Sequence, residues 1–267
     1  MSRDRAGSVT LVPNIVRFNV TPVKSTALHH PDAIRLERRG PVGDRAFFFV
    51  DENGRRFSGA TKAPILPIQA SYDPDREWLE LTLPNGVAVA GSTVAEGHEV
   101  IADFYGRPVS ARIVDGSFSE ALSEYVGHDI FLARPDRPGE ALDVRPVTLV
   151  SQESVDELAR QGDHDGELSP ARFRMTIEIA GVSEPHEEDT WRSRRVRAGE
   201  ALLLIEGPVP RCVVTTLDPA TGVRDFPTLH VIKGYRGVSA QGNLEFGVYA
   251  EVLEPGTVRV GDGVELV

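Results

Sequence analysis

The sequence predicts a mainly β protein with a few helices, of the α+β class. Three observations carry that expectation. Turn formers are frequent, with 25 glycines and 19 prolines in 267 residues, and they recur at short intervals. Between them lie short runs that are β-branched, aromatic or alternating with period two. Helical periodicity is confined to two segments. A barrel is expected over an open sheet, because closure removes exposed edges.

Residues 15–20 form the first expected strand, ended by Thr21-Pro22. Residues 46–51 hold the apolar run Phe47-Phe48-Phe49-Val50, and Asn53-Gly54 turns it into a returning strand at 55–58. The same logic repeats at 78–83, where Trp78-Leu79-Glu80-Leu81-Thr82-Leu83 alternates and returns through Asn85-Gly86 as 87–89. Residues 109–114 read as another strand. Ser117-Phe118-Ser119-Glu120 has the form of a capping box, with Ala121, Leu122, Tyr125 and Val126 on one face and Gly127 as the stop. The second helix takes Ser151 as its N-cap and runs to Gln161-Gly162. Residues 134–140 are charged and rich in Pro and Gly, and read as a linker or surface loop. Strands are expected at 177–180, 213–216, 246–253, 257–260 and 264–267.

The net charge of −11 repels nucleic acid and anionic membrane, so neither is an expected partner. A single cysteine excludes an intrachain disulfide, which fits a reducing compartment. Residues 1–7 are polar with no apolar segment behind them, and no stretch approaches the ~18 apolar residues of a membrane helix. A soluble, cytoplasmic protein is expected. There is no Gly-x-Ser-x-Gly elbow, Walker loop, His-Glu-x-x-His or Cys-x-x-Cys. The pair His29-His30 and the acidic run 184–189 read as solvated surface rather than metal sites.

Cys212 is the residue that draws attention. Pro208 and Pro210 lock a turn ahead of it and Arg211 lies beside it. A thiol so placed suits a nucleophile or a soft-metal ligand. By itself it reads rather as a small buried hydrophobe. Lys24, Arg45, Arg174 and Arg211 each fall at the end of an expected strand, where barrel mouths carry ligands. Converging, they would make an anion pocket suited to phosphate. Singly, each would pair with a neighbouring carboxylate, as Arg45 with Asp44.

Seven motifs in order resemble those of MOSC proteins that carry a MOSC N-terminal β-barrel domain, the class of the mitochondrial amidoxime-reducing component and its bacterial relatives. They are Pro22-Val23-Lys24-Ser25, Gly43-Asp44-Arg45, Phe173-Arg174, Glu188-Asp189-x-Trp191, Arg211-Cys212-x-x-Thr215-Thr216-x-Asp218-x-x-Thr221-Gly222, Phe246-Gly247-x-Tyr249 and Gly256-x-Val258-x-Val260-Gly261-Asp262. The resemblance runs from about residue 12 to 267. It implies an N-terminal β-barrel-like domain over 1–130 and a cofactor-binding MOSC β-barrel domain over 131–267.

The resemblance also implies a molybdenum cofactor (Mo-molybdopterin), with Cys212 as the metal ligand and catalytic residue. Lys24, Ser25, Arg45, Arg174, Thr176, Arg211 and Tyr249 are the implied cofactor-binding residues. Met175-Thr176 stands where the class has Pro-Asn, so a hydroxyl replaces a carboxamide, and Pro210 stands where relatives often have Ser. With no further cysteines to Val267, neither an iron–sulfur cluster nor a haem is expected, so electrons would come from a separate donor protein. The implied activity is reduction of N-hydroxylated substrates such as amidoximes, hydroxylamines and N-hydroxylated bases. Two alternatives stay open, sulfur transfer through a Cys212 persulfide and a non-enzymatic module that binds or delivers the cofactor.

Overall fold

The structure is a computed structural model and describes residues 12–58, 63–114 and 116–267. The polar stretch 1–7 lies outside the described residues. The architecture is mostly β, with one nearly closed barrel sheet and one half-barrel sheet, as the composition of turns and short runs predicted.

A seven-stranded sheet runs in the order Asn14–Phe18, Ile177–Ala180, Val147–Ser151, Glu245–Glu254, Ala201–Pro210, Arg195–Ala198, Val264–Leu266. Its neighbours are antiparallel except Val147–Ser151 and Ile177–Ala180, which are parallel. A parallel pair requires a crossover, and the helix α2, Gln152–Gln161, lies within it. Ser151 caps α2 as expected, its Oγ accepting from Ser154 N at 3.2 Å. Ile15, Phe18, Leu149, Ile177, Leu203, Val248 and Val258 belong to the core this sheet encloses.

The five-stranded sheet shows why four consecutive apolar residues are needed. Phe47 and Phe49 belong to one core, Phe48 and Val50 to another, and all four are fully buried. A strand covered on both faces has no polar alternation to show. Each such side chain contributes about 1.5–3 kcal/mol by burial. The two hairpins form as read: Val50 pairs with Arg56, and Thr82 with Ala88. Helix α1, Gly116–Val126, begins ahead of the expected cap at Ser117 and stops at Gly127, whose N–H donates to Ser123 O at 2.8 Å.

Three expectations need correction. Residues 213–216 form a 3₁₀ helix, Val213–Thr216, rather than a strand. Thr215 Oγ1 donates to Cys212 O at 3.0 Å and Thr216 Oγ1 to Val213 O at 2.7 Å, so the hydroxyls favour a tight turn over β-branching's preference. Pro208 and Pro210 lie in the strand Ala201–Pro210, where the register shifts ahead of Pro208 and again between the two prolines, rather than in a turn. Bulges are where a strand tolerates a residue with no donor. Arg134 and Pro135 end the strand Ile130–Pro135 rather than opening a loop.

A third helix went unread, α3 at Thr228–Arg236. Its β-branched residues and Gly234 are weak helix formers. Val231 and Ile232 pack with Leu158 of α2 and Phe226, so tertiary burial holds it. Among the described residues no helix is long and apolar enough to cross a membrane.

Candidate functional site

Lys24, Ser25, Arg45, Arg174, Thr176, Arg211, Cys212 and Tyr249 all line one cavity of about 360 Å³. That volume falls in the usual range of small-molecule sites. The cavity is assembled from both ends of the chain. Lys24 and Ser25 lie in the turn after the first strand, which is stitched to the 44–47 segment. Lys24 N donates to Phe47 O at 2.8 Å, and Thr21 N to the buried Asp44 Oδ1 at 2.8 Å. Arg45 pairs with Asp44 and also donates to Arg174 O at 3.1 Å. Arg174 in turn donates to Thr26 O at 2.6 Å, which ties the two halves of the wall.

Ser25, Arg45, Tyr105 and Arg174 line this cavity with φ of 72°, 47°, 57° and 54°. Left-handed backbone costs a non-glycine residue about 1–2 kcal/mol. Such strain persists where surrounding structure enforces it, and it clusters at functional sites.

The lining carries seven cations and one carboxylate, Asp143. Lys24 is buried and its Nζ lies 2.6 Å from Asp143 Oδ1. Burial pushes the Lys24 ammonium down to about 8, against the pull of Asp143 and with the push of Arg45. Burial raises the Asp143 carboxyl, but Lys24, Arg45 and Arg56 outweigh it and hold the group below the usual range. Burial first, then Arg45, brings the Arg174 guanidinium down to about 9, and burial brings Arg211 to about 10. All these bases stay cationic at neutral pH.

Not every cation is available to a ligand. Arg172 forms a fork with Asp225 at 2.8 and 3.2 Å, and Arg145 pairs with Glu206. Every nitrogen of Arg211 is engaged: Nε and Nη2 donate to Phe246 O at 2.8 and 2.6 Å, Nη1 to Phe173 O at 3.1 Å, and Nη2 to Met175 Sδ at 2.5 Å. Arg174 Nη1 and Arg172 Nε, by contrast, are buried without a hydrogen-bond partner. Unpaired buried donors are costly, and an anion in the cavity would answer them.

Cys212 is exposed, not the buried hydrophobe that a lone cysteine suggests. It follows the strand Ala201–Pro210 and opens the 3₁₀ turn, so its thiol stands at the cavity. Thr176 is buried, and its Oγ1 meets Thr148 Oγ1 at 3.3 Å. Burial pushes the Tyr249 phenol up to about 12, so it keeps its proton at neutral pH. Gly247 has φ of 69°, and a Cβ there would stand 2.6 Å from Met175 Cε and 2.8 Å from Leu149 O. That glycine lets the strand carrying Tyr249 close on the neighbouring strand.

Asp143, Arg56 and Tyr105 also line the cavity and escaped the sequence reading. Arg56 stacks 4.5 Å from the Tyr105 ring centroid and 4.8 Å from that of Phe104. Its position directly after the Asn-Gly hairpin was the available signal. Asp143 lies in a stretch without periodicity, which offered none. His29 and His30 bond to Ala70 O and Phe18 O. Glu188 is fully buried, rather than solvated, and accepts from Ser151 and Ser154. Among the described residues no group of three or more His, Cys, Asp or Glu could hold a metal ion.

A mainly β protein with a cation-lined cavity and one exposed thiol in its lining presents positive charge and a soft donor together. The MOSC domain family matches residues 136–265. Mitochondrial amidoxime-reducing component 1 of Homo sapiens is 31% identical over 256 residues, covering 86% of this chain and 74% of that protein. The protein of the same name from Danio rerio is 26% identical over 296 residues, covering 97% and 86%. Molybdenum cofactor sulfurase of Drosophila erecta is 24% identical over 261 residues, covering 92% of this chain and 32% of that protein. The chain belongs to the MOSC family, as a homologue of the mitochondrial amidoxime-reducing components.

Proposed function

We propose that the protein is a molybdenum cofactor-dependent oxidoreductase that reduces N-hydroxylated compounds, acting in the cytoplasm with electrons from a separate donor protein. The observation that carries this reading is the convergence of Lys24, Ser25, Arg45, Arg174, Cys212 and Tyr249 on one cavity. The donor set fits the cofactor: cations and an unpartnered Arg174 Nη1 suit its phosphate, and a thiol suits its metal. Bound, the cofactor would supply the two-electron redox chemistry.

The roles of the chain's own residues follow from their surroundings. Lys24, Ser25 and Arg174 would grip the phosphate and pterin end, drawn from both the 1–130 and the 131–267 parts. Arg45 would orient Arg174 through its carbonyl, and Thr176 would offer a hydroxyl. Cys212 would bind the metal through Sγ. Tyr249 would hold a proton on Oη and donate a hydrogen bond. Arg211 would set the position of the 173–175 loop rather than contact a ligand.

Protein made in a host that synthesises the cofactor is expected to contain stoichiometric molybdenum that disappears in Cys212→Ser. It should also reduce benzamidoxime to benzamidine with chemically reduced viologen. Metal-free protein carrying a persulfide on Cys212, detected by mass, would replace this reading with sulfur transfer. The likeness to the Drosophila erecta sulfurase and the exposure of the thiol are what favour that second reading. Cofactor binding without turnover would point to a delivery module.

A further inference from the structure

A second cavity, of about 260 Å³, shares the wall made by Leu142, Val144 and Arg145 with the candidate site. Its lining holds Arg38, Arg39, Arg107 and Arg145 against a single acid, Glu140, in a chain of net charge −11. We propose that this depression is a docking site for an acidic segment of a protein partner.

The four arginines divide into two kinds. Arg107 donates to Glu140 O and Leu142 O, both at 2.9 Å, and Arg145 pairs with Glu206, so these two hold the floor in place. Arg38 and Arg39 occupy the two-residue turn between the strands Ala33–Glu37 and Gly40–Pro41, and both are exposed. Among the described residues the Arg38 side chain has no hydrogen-bond or ion-pair partner, and that of Arg39 makes one 3.4 Å contact to Pro138 O. The Arg38 fork and all of the Arg39 fork but one long contact therefore remain open, and carboxylates are their natural bidentate partners.

The platform under them is fixed before any partner arrives. Gly40 has φ of 110°, and a Cβ there would lie 2.8 Å from Leu142 Cδ1 and 3.0 Å from Pro146 O. Gly139 has φ of 81°, and a Cβ would lie 2.5 Å from Arg39 O. The two glycines let the turn and the 138–146 segment close on each other, which spares a partner the ordering of that backbone. Val144, half exposed in the shared wall, adds apolar contact beside the charges. Arginine around apolar surface is the composition of protein interfaces. A small-anion site would instead hold buried donors without partners, as at Arg174, and this depression has none among the described residues. A partner seated here is separated from the candidate site by the shared wall.

A fluorescein-labelled hexaglutamate peptide, followed by anisotropy, tests the proposal on the full chain. Saturable binding is expected, weakening as salt rises from about 20 to about 200 mM as the Debye length shrinks. Arg38→Glu/Arg39→Glu is expected to weaken it about tenfold, as reversal of two exposed pairs should. Both side chains are exposed on a turn, so an unchanged thermal midpoint is expected; if it drops, Arg38→Ser/Arg39→Ser takes the variant's place. Lys24→Met should leave the peptide's affinity unchanged. Affinity that follows Lys24 instead, or is indifferent to Arg38 and Arg39, overturns the proposal. Displacement of the peptide by lower concentrations of inorganic phosphate overturns it in favour of a small-anion site.

Discussion

Arg211→Met separates a clamp from a ligand. In the cofactor-free protein the guanidinium serves two carbonyls, Phe246 O and Phe173 O, of residues that are buried. Methionine keeps the stem's packing near the Phe173 ring, whose centroid lies 5.2 Å from the guanidinium, but leaves both acceptors bare. Each orphaned acceptor costs about 1–3 kcal/mol. The desolvation that brings Arg211 to about 10 offsets part of this, leaving a net loss of about 2 kcal/mol. For a chain of this size that is a fall of roughly 4–8 °C in the melting midpoint. Calorimetry of the cofactor-free variant at pH 7 measures it. Lys24→Met is the contrast, because its partner Asp143 has a side chain 47% exposed and can hydrate. That variant should melt within about 1 °C of the parent, because relief of the buried ammonium's desolvation offsets the lost pairing with Asp143, while losing cofactor retention. A midpoint for Arg211→Met that is unchanged, together with lost anion binding, would refute the clamp and restore Arg211 as a ligand.

Two further outcomes follow. His186 packs against Phe246 and Tyr235, and burial, then Arg236, lowers its pKa to about 4. Its folded value is depressed, so the unfolded chain binds the extra proton and stability falls as pH drops from about 6.5 toward 4. Between pH 7 and pH 5 the His186 share of that loss is about 1 kcal/mol after allowing for partial exposure. Urea titrations of wild type and His186→Gln at both pH values isolate it, and equal pH dependence would contradict the burial argument. Gly247→Ala should cost about 2–4 kcal/mol from left-handed strain and overpacking. Adding Met175→Ala should not rescue it, since Leu149 O remains 2.8 Å from the new Cβ; rescue by that double variant would show the methionine to be the whole obstacle.

Local chemistry was readable where it acts alone. The Asn-Gly hairpin at Asn53-Gly54, the Ser151 cap and the Phe47–Val50 run formed as their residues dictate. Where two local preferences compete, composition alone misleads, as at Val213–Thr216, where threonine hydroxyls bond backward to the chain. Helix α3 was invisible because its stability comes from contacts with α2 and Phe226. In the site, strand-end cations were legible by type and position. Their division into spent and available was not, since Arg211 and Arg174 differ only in which distant carbonyls they meet. Asp143 belongs to the same class: its partner Lys24 is 119 positions away.

The first strand has a further consequence. Asn14–Phe18 lies at the end of the seven-stranded sheet, hydrogen-bonded to Ile177–Ala180. A fragment cut at residue 131 would keep the thiol but leave the backbone of Ile177–Ala180 uncovered, an invitation to intermolecular pairing. The same cut would remove Lys24, Ser25 and Arg45 from the cavity wall. The segment that shields the sheet from self-association is thus continuous with the one that carries Lys24, Ser25 and Arg45, so a truncation that spoils solubility would dismantle the cavity in the same stroke.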